Sequence, residues 1–393
     1  MLKGKDMSKL DELIQQYCPD GVEYVRLGDT AQVCRGTRVV KSQLTAVGYP
    51  VYQNCLTPMG YFENTNCPKG TTFVICGGAA GNIGYTDVDC WAADDCEYIE
   101  CGHTILNRYV YYCLMSRQHY LLSKVRKASI PRLSPSIIKD LEIPVPPIPV
   151  QEEIVRILDN FTELQAELQA ELQKRKQQYN YYRDNLLSFE GRDDIVYKKL
   201  GEVCEFRNGF AFKSNLFKND GCPIIRITNI SGHGVNMEDV KYFHMEDYPK
   251  TKMSLFEVNN GDILVAMSGA TTGKIGTYKE EDTAYLNQRI GKFVPKQSLD
   301  NRFLYHFLLT QVNEMYRISG GGAQPNLSSN DLKSMILIPL PSLEEQKMIA
   351  SILDRFDTLT TDLAAGLPAE IEKRRQQYEY YRDKLLTFKR KEA

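Results

Sequence analysis

The sequence predicts a duplicated mixed α/β (α+β) protein in which each copy of a compact domain is followed by a long helix. Three observations carry this expectation. First, Lys174–Phe189, KRKQQYNYYRDNLLSF, returns almost letter for letter at Lys373–Phe388 as KRRQQYEYYRDKLLTF. Second, a colinear series of short matches links the halves: Leu27-Gly28-Asp29 with Leu200-Gly201-Glu202, Lys41-Ser42 with Lys213-Ser214, Gly48-Tyr49-Pro50 with Gly221-Cys222-Pro223, and Gly81-Asn82-Ile83-Gly84 with Gly273-Lys274-Ile275-Gly276. Leu133-Ser134 with Leu327-Ser328 and Ile157–Phe161 with Ile352–Phe356 extend the series, at offsets drifting from 172 to 199 residues. Such a spacing is far longer than a solenoid repeat, so each copy is a whole domain plus its connector. Third, apolar residues recur with a period near 3.5 in two segments, each behind a proline-rich lead-in that cannot continue a hydrogen-bonded helix backwards.

The elements follow in order. Residues 1–20 read as a short helical segment, 21–148 as the first domain, 149–190 as the first long helix, 191–341 as the second domain and 342–393 as the second helix. Within the domains, short β-like runs such as Thr72–Ile75 and Ile263–Ala266 are interrupted by Gly, Asn and Asp turns, with helical pieces such as Phe303–Thr310. In the first helix Ile154, Ile157, Phe161, Leu164, Leu168, Leu172, Tyr179, Tyr182 and Leu186 share a face. In the second, Ile349, Ile352, Phe356, Leu359, Leu363, Ile371, Tyr378, Tyr381 and Leu385 do so. A plain dimerisation coiled coil would show the same period, but alternation of domain and helix lets the two copies pair within one chain as an antiparallel coiled coil. Pro368 in Gly366-Leu367-Pro368 must break or kink the second helix.

Composition narrows the classes. At 393 residues the chain holds two domains of ordinary size. Lys plus Arg number 48 and Asp plus Glu 50, a net charge of −2, so any nucleic-acid contact rests on local patches and not on a global basic field. No signal peptide and no apolar run of membrane-spanning length is evident, and eleven cysteines, nine of them between Cys18 and Cys113, suit reduced thiols in a cytoplasmic protein with no membrane association.

Catalytic motifs fail on inspection. Ser268–Ile275 resembles a phosphate loop but is one residue short between glycines and has Ile275 where a hydroxyl is needed; its counterpart Cys76–Ile83 lacks lysine, so both read as tight turns. Cys96 with Cys101-Gly102-His103 lacks metal-ligand spacing, and Glu345-Gln346-Lys347 lacks the upstream acid of a nuclease and reads as solvated charge. There is neither an amino-methyltransferase Asn/Asp-Pro-Pro-Tyr/Phe motif nor a glycine fingerprint for S-adenosylmethionine. No catalytic and no metal-binding residue is assigned.

With two homologous domains and helices ending in QQYxYYRDxLL[ST]F, the chain resembles the specificity subunit of type I restriction-modification systems. Gly209–Ser214 (GFAFKS), Gly261–Val265 (GDILV), Gln324–Ser328 (QPNLS) and the tyrosine-rich helix ends carry the resemblance over nearly the whole length; the first domain departs in its cysteines and in showing Ile130-Pro131-Arg132 for Gln-Pro-Asn. The resemblance implies two target recognition domains reading the halves of a split, asymmetric double-stranded DNA site, and helices that set the spacing. It also implies docking of two methyltransferase subunits, with restriction subunits joining. S-adenosylmethionine, ATP and Mg belong on those partners, with no cofactor on this chain. The repeat Glu163-Leu164-Gln165-Ala166, Glu167-Leu168-Gln169-Ala170 resembles the family's spacer element: four residues lengthen a helix by about 6 Å, near two base-pair rises of ~3.4 Å. The other readings are an orphan DNA-binding regulator and a stand-alone DNA-modifying enzyme.

DNA readout needs Arg, Lys, Asn or Gln side chains on a loop or helix that can enter the major groove. Candidates in the first domain are Arg35, Arg38, Lys41, Gln53 and Asn54, with a second run, Arg117, Lys124, Arg126, Lys127 and Arg132, that has no acid near it in sequence and suits phosphates. In the second domain they are Arg207, Asn208, Lys213, Arg226, Asn229, Lys274 and Arg289, with Lys41 and Lys213 favoured because both copies place a lysine there. Tyr179, Tyr182, Tyr378 and Tyr381 fit the helix seam, leaving Tyr181 and Tyr380 as partner-binding anchors.

Overall fold

The computed structural model describes residues 4–232, 234–320, 325–361 and 366–392. The chain divides into two compact units, one drawn from residues 1–169 and 371–393, the other from 170–370. Six principal helices are present among the described residues: α1 Gly4–Tyr17, α2 Asn107–Ser116, α3 Ile148–Leu186, α4 Asn301–Thr310, α5 Leu343–Thr361 and α6 Leu367–Leu385. The second long helix is thus two helices, with Pro368 in the first turn of α6, where its missing N–H costs nothing. Leu363 and Gln324, used above in the helix face and the QPNLS signature, lie outside the described residues.

Each unit is built on the same central antiparallel sheet. In the first, β1 Ala31–Arg35, β2 Thr71–Ile75, β3 Ile83–Thr86 and β4 Cys96–Cys101 lie in the order β1-β4-β2-β3. In the second, β5 Cys204–Asn208, β6 Ile263–Ala266, β7 Ile275–Thr277 and β8 Ile290–Pro295 lie in the order β5-β8-β6-β7. Every residue of β2 and β6 is buried, the pattern of a central strand covered on both faces. A second small sheet in each unit joins Tyr49–Tyr52 in parallel to Trp91–Ala92, and Cys222–Ile225 in parallel to Ala284–Leu286. All eleven cysteines are free; Cys96 and Cys101 sit at opposite ends of β4.

Each domain is fastened to the root of its helix by the same device. Gln151, fully buried, accepts from the Leu106 N–H (2.9 Å) and donates to the carbonyls of Thr104 (2.9 Å) and Pro146 (2.7 Å). Gln346 repeats this, accepting from the Asp300 N–H (2.8 Å) and donating to Ser298 (3.1 Å) and Pro341 (2.9 Å). Gln346 is therefore a buried clamp, which corrects the expectation for that residue, while its neighbours Glu345, paired with Arg192, and Lys347 stay at the surface as charges. Beside the clamps, Arg108 meets Asp159 at 2.7 Å and Arg302 meets Asp354 at 2.6 Å. Tyr112 completes the first joint through Asp159, whereas His306 completes the second, with its Nε2 2.7 Å from Asp354.

The helix faces are only partly buried. Ile154, Ile157, Phe161, Leu172 and Tyr179 are buried in α3, as are Ile349 in α5 and Tyr378 and Leu385 in α6. Leu164, Tyr182, Ile352 and Leu359 are exposed, correcting the expectation of a continuous seam. In the first unit Phe161 stacks on Tyr381 (centroids 5.6 Å), and in the second Tyr182 stacks on Phe356 (5.3 Å). No helix among the described residues is long and apolar enough to cross a membrane.

Candidate nucleic-acid interface

At one end of each central sheet four backbone segments converge through the same four hydrogen bonds. In the first unit the Gly36 N–H donates to Cys96 O (2.9 Å), Cys76 N–H to Asp95 O (2.7 Å), Leu133 N–H to Cys76 O (2.9 Å) and Gly78 N–H to Pro131 O (3.0 Å). In the second, Gly209 donates to Ile290 (3.0 Å), Met267 to Arg289 (2.9 Å), Leu327 to Met267 (2.7 Å) and Gly269 to Pro325 (3.2 Å). Glycine is required at the crossing: a Cβ on Gly36 would lie 2.1 Å from Ala93 O, and one on Gly209 2.0 Å from Asn287 O. Gly78 and Gly269 share a left-handed backbone, φ 85° and 79°, so the phosphate-loop look-alike and its counterpart are tight turns.

These bonds bring equivalent positions to one rim, carrying different side chains. Arg35 corresponds to Asn208, Asp94 to Gln288, Asp95 to Arg289, and Arg132 to Asn326. In the first unit the rim borders a cavity of about 350 Å³ lined by Arg35, Asp94, Asp95, Glu97, Arg126 and Arg132. Arg132 pairs with Asp95 at 2.9 Å, Arg35 Nε donates to Asp94 O at 3.3 Å, and the Gln53 amide reaches Asp94 Oδ1 at 3.3 Å. The run from Arg117 to Arg132 is acid-free only along the sequence; folding sets the 94–97 acids beside it. Burial pushes the Glu97 carboxyl above its usual range, against the pull of Arg35 and Lys139. In the second unit Asn208, Gln288, Arg289 and Asn326 are all exposed, and Lys274 is exposed at the end of the loop whose Gly269 and Thr272 bond Pro325. One rim mixes arginine with carboxylate; the other offers amides and cations.

The remaining candidates are distributed more widely. Arg126 reaches the first rim because its backbone pairs with Arg132, and Lys127 follows it, exposed. Asn54 lies beside the same loop, its carbonyl accepting from the Ala79 N–H. Arg38 is exposed on the segment after Gly36, and Lys41 opens an exposed 3-10 turn, Lys41–Gln43. Its counterpart in the second unit is Ser214–Leu216, which Lys213 precedes, so the two lysines differ by one backbone position and are not equivalent. Arg207 precedes Asn208 on β5 and is exposed. Arg226 directs one guanidinium nitrogen, Nη2, to Asp239, at 3.1 Å from Oδ2 and 3.0 Å from the carbonyl. Asn229 is buried, accepting from the Arg226 N–H and donating to Asn236 O and Asp239 O, so its amide is used inside the fold and offers nothing to DNA. Asp94, Asp95, Gln288 and Asn326 were not among the candidates. The repeat itself held the signal, since Ile130-Pro131-Arg132 stands where the other copy has Gln324-Pro325-Asn326. Tyr181 and Tyr380 are 66% and 61% exposed, each set edge-on against the next tyrosine.

The two rims share one backbone frame and carry unlike side chains, a frame held constant while its polar groups vary. Comparison with known proteins places that frame. The family model for the type I restriction modification DNA specificity domain matches twice, over residues 19–175 and 192–373, and the chain belongs to that family. It is 35% identical over 300 residues to a type I restriction enzyme specificity subunit of Escherichia coli, covering 73% of this chain and 72% of the relative. It is 30% identical over 384 residues to a putative type I restriction enzyme specificity subunit of Haemophilus influenzae, covering 93% and 96%. Among solved structures the type I restriction-modification S subunit from M. genitalium superposes with a TM-score of 0.63 at 18% identity, covering 93% of this chain and 96% of that one. A chain from a study of assembly and conformational transition of the type I system superposes at 0.55, also at 18% identity, covering 94% and 98%. At that identity these likenesses establish the shared fold.

Proposed function

We propose that this chain is the DNA-reading and scaffolding subunit of a type I restriction-modification complex, each rim reading one half of a split, asymmetric double-stranded site. The observation that carries the reading is the pair of rims: four identical backbone bonds hold Arg35, Asp94, Asp95 and Arg132 in one unit where the other holds Asn208, Gln288, Arg289 and Asn326. Carboxylates accept from cytosine N4 or adenine N6, while arginine and amide side chains address purine edges, so the two rims favour different bases. Arg126, Lys127 and Lys274, with Arg38, Lys41, Asn54, Arg207 and Lys213, supply positioning contacts to phosphates. Asn229 drops out of the contact set because its amide is engaged within the fold; Arg226, tied to Asp239 through Nη2, stays in it.

In this reading the helices pair antiparallel and set the spacing between half-sites, supported by Phe161 stacking on Tyr381 and Tyr182 on Phe356. Two methyltransferase subunits dock with Tyr181 and Tyr380 among their anchors, and restriction subunits join the assembly. The chain is non-catalytic and cytoplasmic; S-adenosylmethionine, ATP and Mg act on the partner subunits. The test is a long-read methylome of the host with and without the gene. Loss of methyladenine from one bipartite motif supports the reading. An unchanged methylome sinks it, and leaves an orphan DNA-binding regulator as the better description.

A further inference from the structure

Nine of the eleven cysteines fall between Cys18 and Cys113, and two of these face each other across a strand pairing. The Cys67 N–H donates to Cys90 O (3.1 Å) and the Cys90 N–H to Cys67 O (2.8 Å), the doubly bonded rung of an antiparallel ladder. Such a rung sets its Cα atoms about 5.5 Å apart, inside the about 4.4–6.8 Å that a disulfide spans. Both residues are buried and share a small core with Phe73, Ile75, Ala92 and Cys96. The other strand cysteines of this domain face different residues: Cys34 faces Tyr98, Cys96 faces Ile75 and Cys101 faces Ala31. Thr65 and Asn66 lace the same segment to the opposite strand. Thr65 Oγ1 donates to Cys90 O (2.8 Å), and the Asn66 side chain exchanges bonds with the Ala92 backbone (2.7 and 2.9 Å). In the second unit the corresponding rung pairs Val258 with Ala284, both fully buried, so the frame forms there without sulfur.

We propose that Cys67 and Cys90 are a reversible oxidation site, closing to a disulfide under peroxide and opening again under thiol reductants. The bond pins the open end of the β2–β3 hairpin, whose turn carries the Gly78 segment of the first rim. Thr71 faces Thr86 in that hairpin, and counting outward along both strands reaches Cys67 and Cys90 together. The pair is buried but shallow. Pro68 and Lys69 after Cys67, and Asp87 and Val88 before Cys90, are exposed, and the rung is an isolated bridge, so local opening admits a small oxidant. The hydrogen bond between the two thiols holds Cys67 above the usual thiol range and Cys90 below it, against the effect of burial on Cys90. Cys90 is therefore the sulfur that ionises and attacks. Its thiolate bonds to one oxygen of hydrogen peroxide, the O–O bond breaks, and the departing hydroxide takes a proton to leave as water. The Cys67 sulfur then attacks the Cys90 sulfenic acid, giving up its proton as the S–O bond breaks and a second water leaves. Two thiols and one peroxide become one disulfide and two waters, the two electrons passing to the peroxide oxygens.

The experiment treats the full chain with a small excess of hydrogen peroxide, alkylates the remaining thiols in denaturant, and reads the intact mass and a non-reducing peptide map. Nine of the eleven thiols are expected to remain open to alkylation, with one cross-link joining the Cys67 and Cys90 peptides. Dithiothreitol is expected to restore all eleven. Oxidation is also expected to raise the urea midpoint of the Trp91 fluorescence transition by roughly 0.5–1.5 M, because the closed loop constrains the unfolded chain. Cys67→Val with Cys90→Ala, which copies the rung of the second unit, is expected to fold with the midpoint of the reduced wild type and to show neither change. Eleven alkylated thiols after peroxide, a cross-link to a different cysteine, or a midpoint shift that persists in the double variant overturns the proposal. Oxygen adducts on Cys67 or Cys90 without a cross-link overturn it equally.

Discussion

Replacing Gln151 with alanine removes three hydrogen bonds at a site closed to water. The Leu106 N–H loses its acceptor, and the Thr104 and Pro146 carbonyls lose a donor, at distances of 2.9, 2.9 and 2.7 Å. Each such bond is worth about 0.5–1.5 kcal/mol net. No water reaches a fully buried residue to take over those groups, so the upper half of the summed range applies, about 3–4.5 kcal/mol. With a urea dependence of about 2–3 kcal/mol per molar, the midpoint should fall by roughly 1–2 M. Trp91 is the single tryptophan and belongs to the first unit, where its Nε1 donates to Thr37 O, so its fluorescence follows that unit alone. Gln346→Ala is the internal control: it breaks the equivalent clamp in the other unit and should shift the far-ultraviolet transition while leaving the Trp91 transition in place. A Gln151→Ala midpoint within about 0.3 M of wild type, or a Trp91 transition that moves equally in Gln346→Ala, would refute the clamp as the fastening of domain to helix.

Lys274→Ala should weaken binding to all duplexes alike and reduce the salt slope by about 0.9; a loss confined to one base position would show that it reads sequence instead. Asn326→Ala should cost about 1–3 kcal/mol against the cognate site, confined to the half-site of the second domain in competition binding with one half-site scrambled at a time; equal loss on both halves contradicts the rim assignment. His306→Tyr, copying Tyr112 of the first joint, tests a pH dependence. Burial, reinforced by the Arg302 guanidinium, outweighs the attraction of Asp354 and holds the His306 pKa below 6.5. The unfolded chain therefore binds the proton first, and stability present above about pH 6.5 is lost as pH falls below it; the tyrosine variant should flatten that decline in melts between pH 7.5 and 5, and an unchanged profile would rule His306 out as its source. Finally, Tyr181→Ala with Tyr380→Ala should reduce co-purification of the cognate methyltransferase subunit while leaving the melt of the chain alone, and undiminished assembly would remove both tyrosines from the partner surface.

Much of the frame was legible because it is local or repeated. The duplication, the strands containing Thr72–Ile75 and Ile263–Ala266, the break at Pro368 and the exposure of Tyr181 and Tyr380 all follow from periodicity, from backbone chemistry or from having two copies to compare. What the sequence could not decide was adjacency. Arg35, Asp95 and Arg132 stand 60 and 37 residues apart along the chain and meet only because backbone bonds at the sheet end tie their neighbours together, so the acids that answer the basic run came from a segment with no local mark. The one-residue difference between Lys41 and Lys213 was equally invisible, since identical letters outvote a turn that begins one position later. A polar residue's letter does not say whether its hydrogen bonds are spent inside, and Asn229 spends all of its own there. Periodicity names the face of a helix that seeks cover but not what covers it. Glu153 and Met348 occupy the same place in the repeat, and only the tertiary packing of α1 closes over the one and leaves the other open.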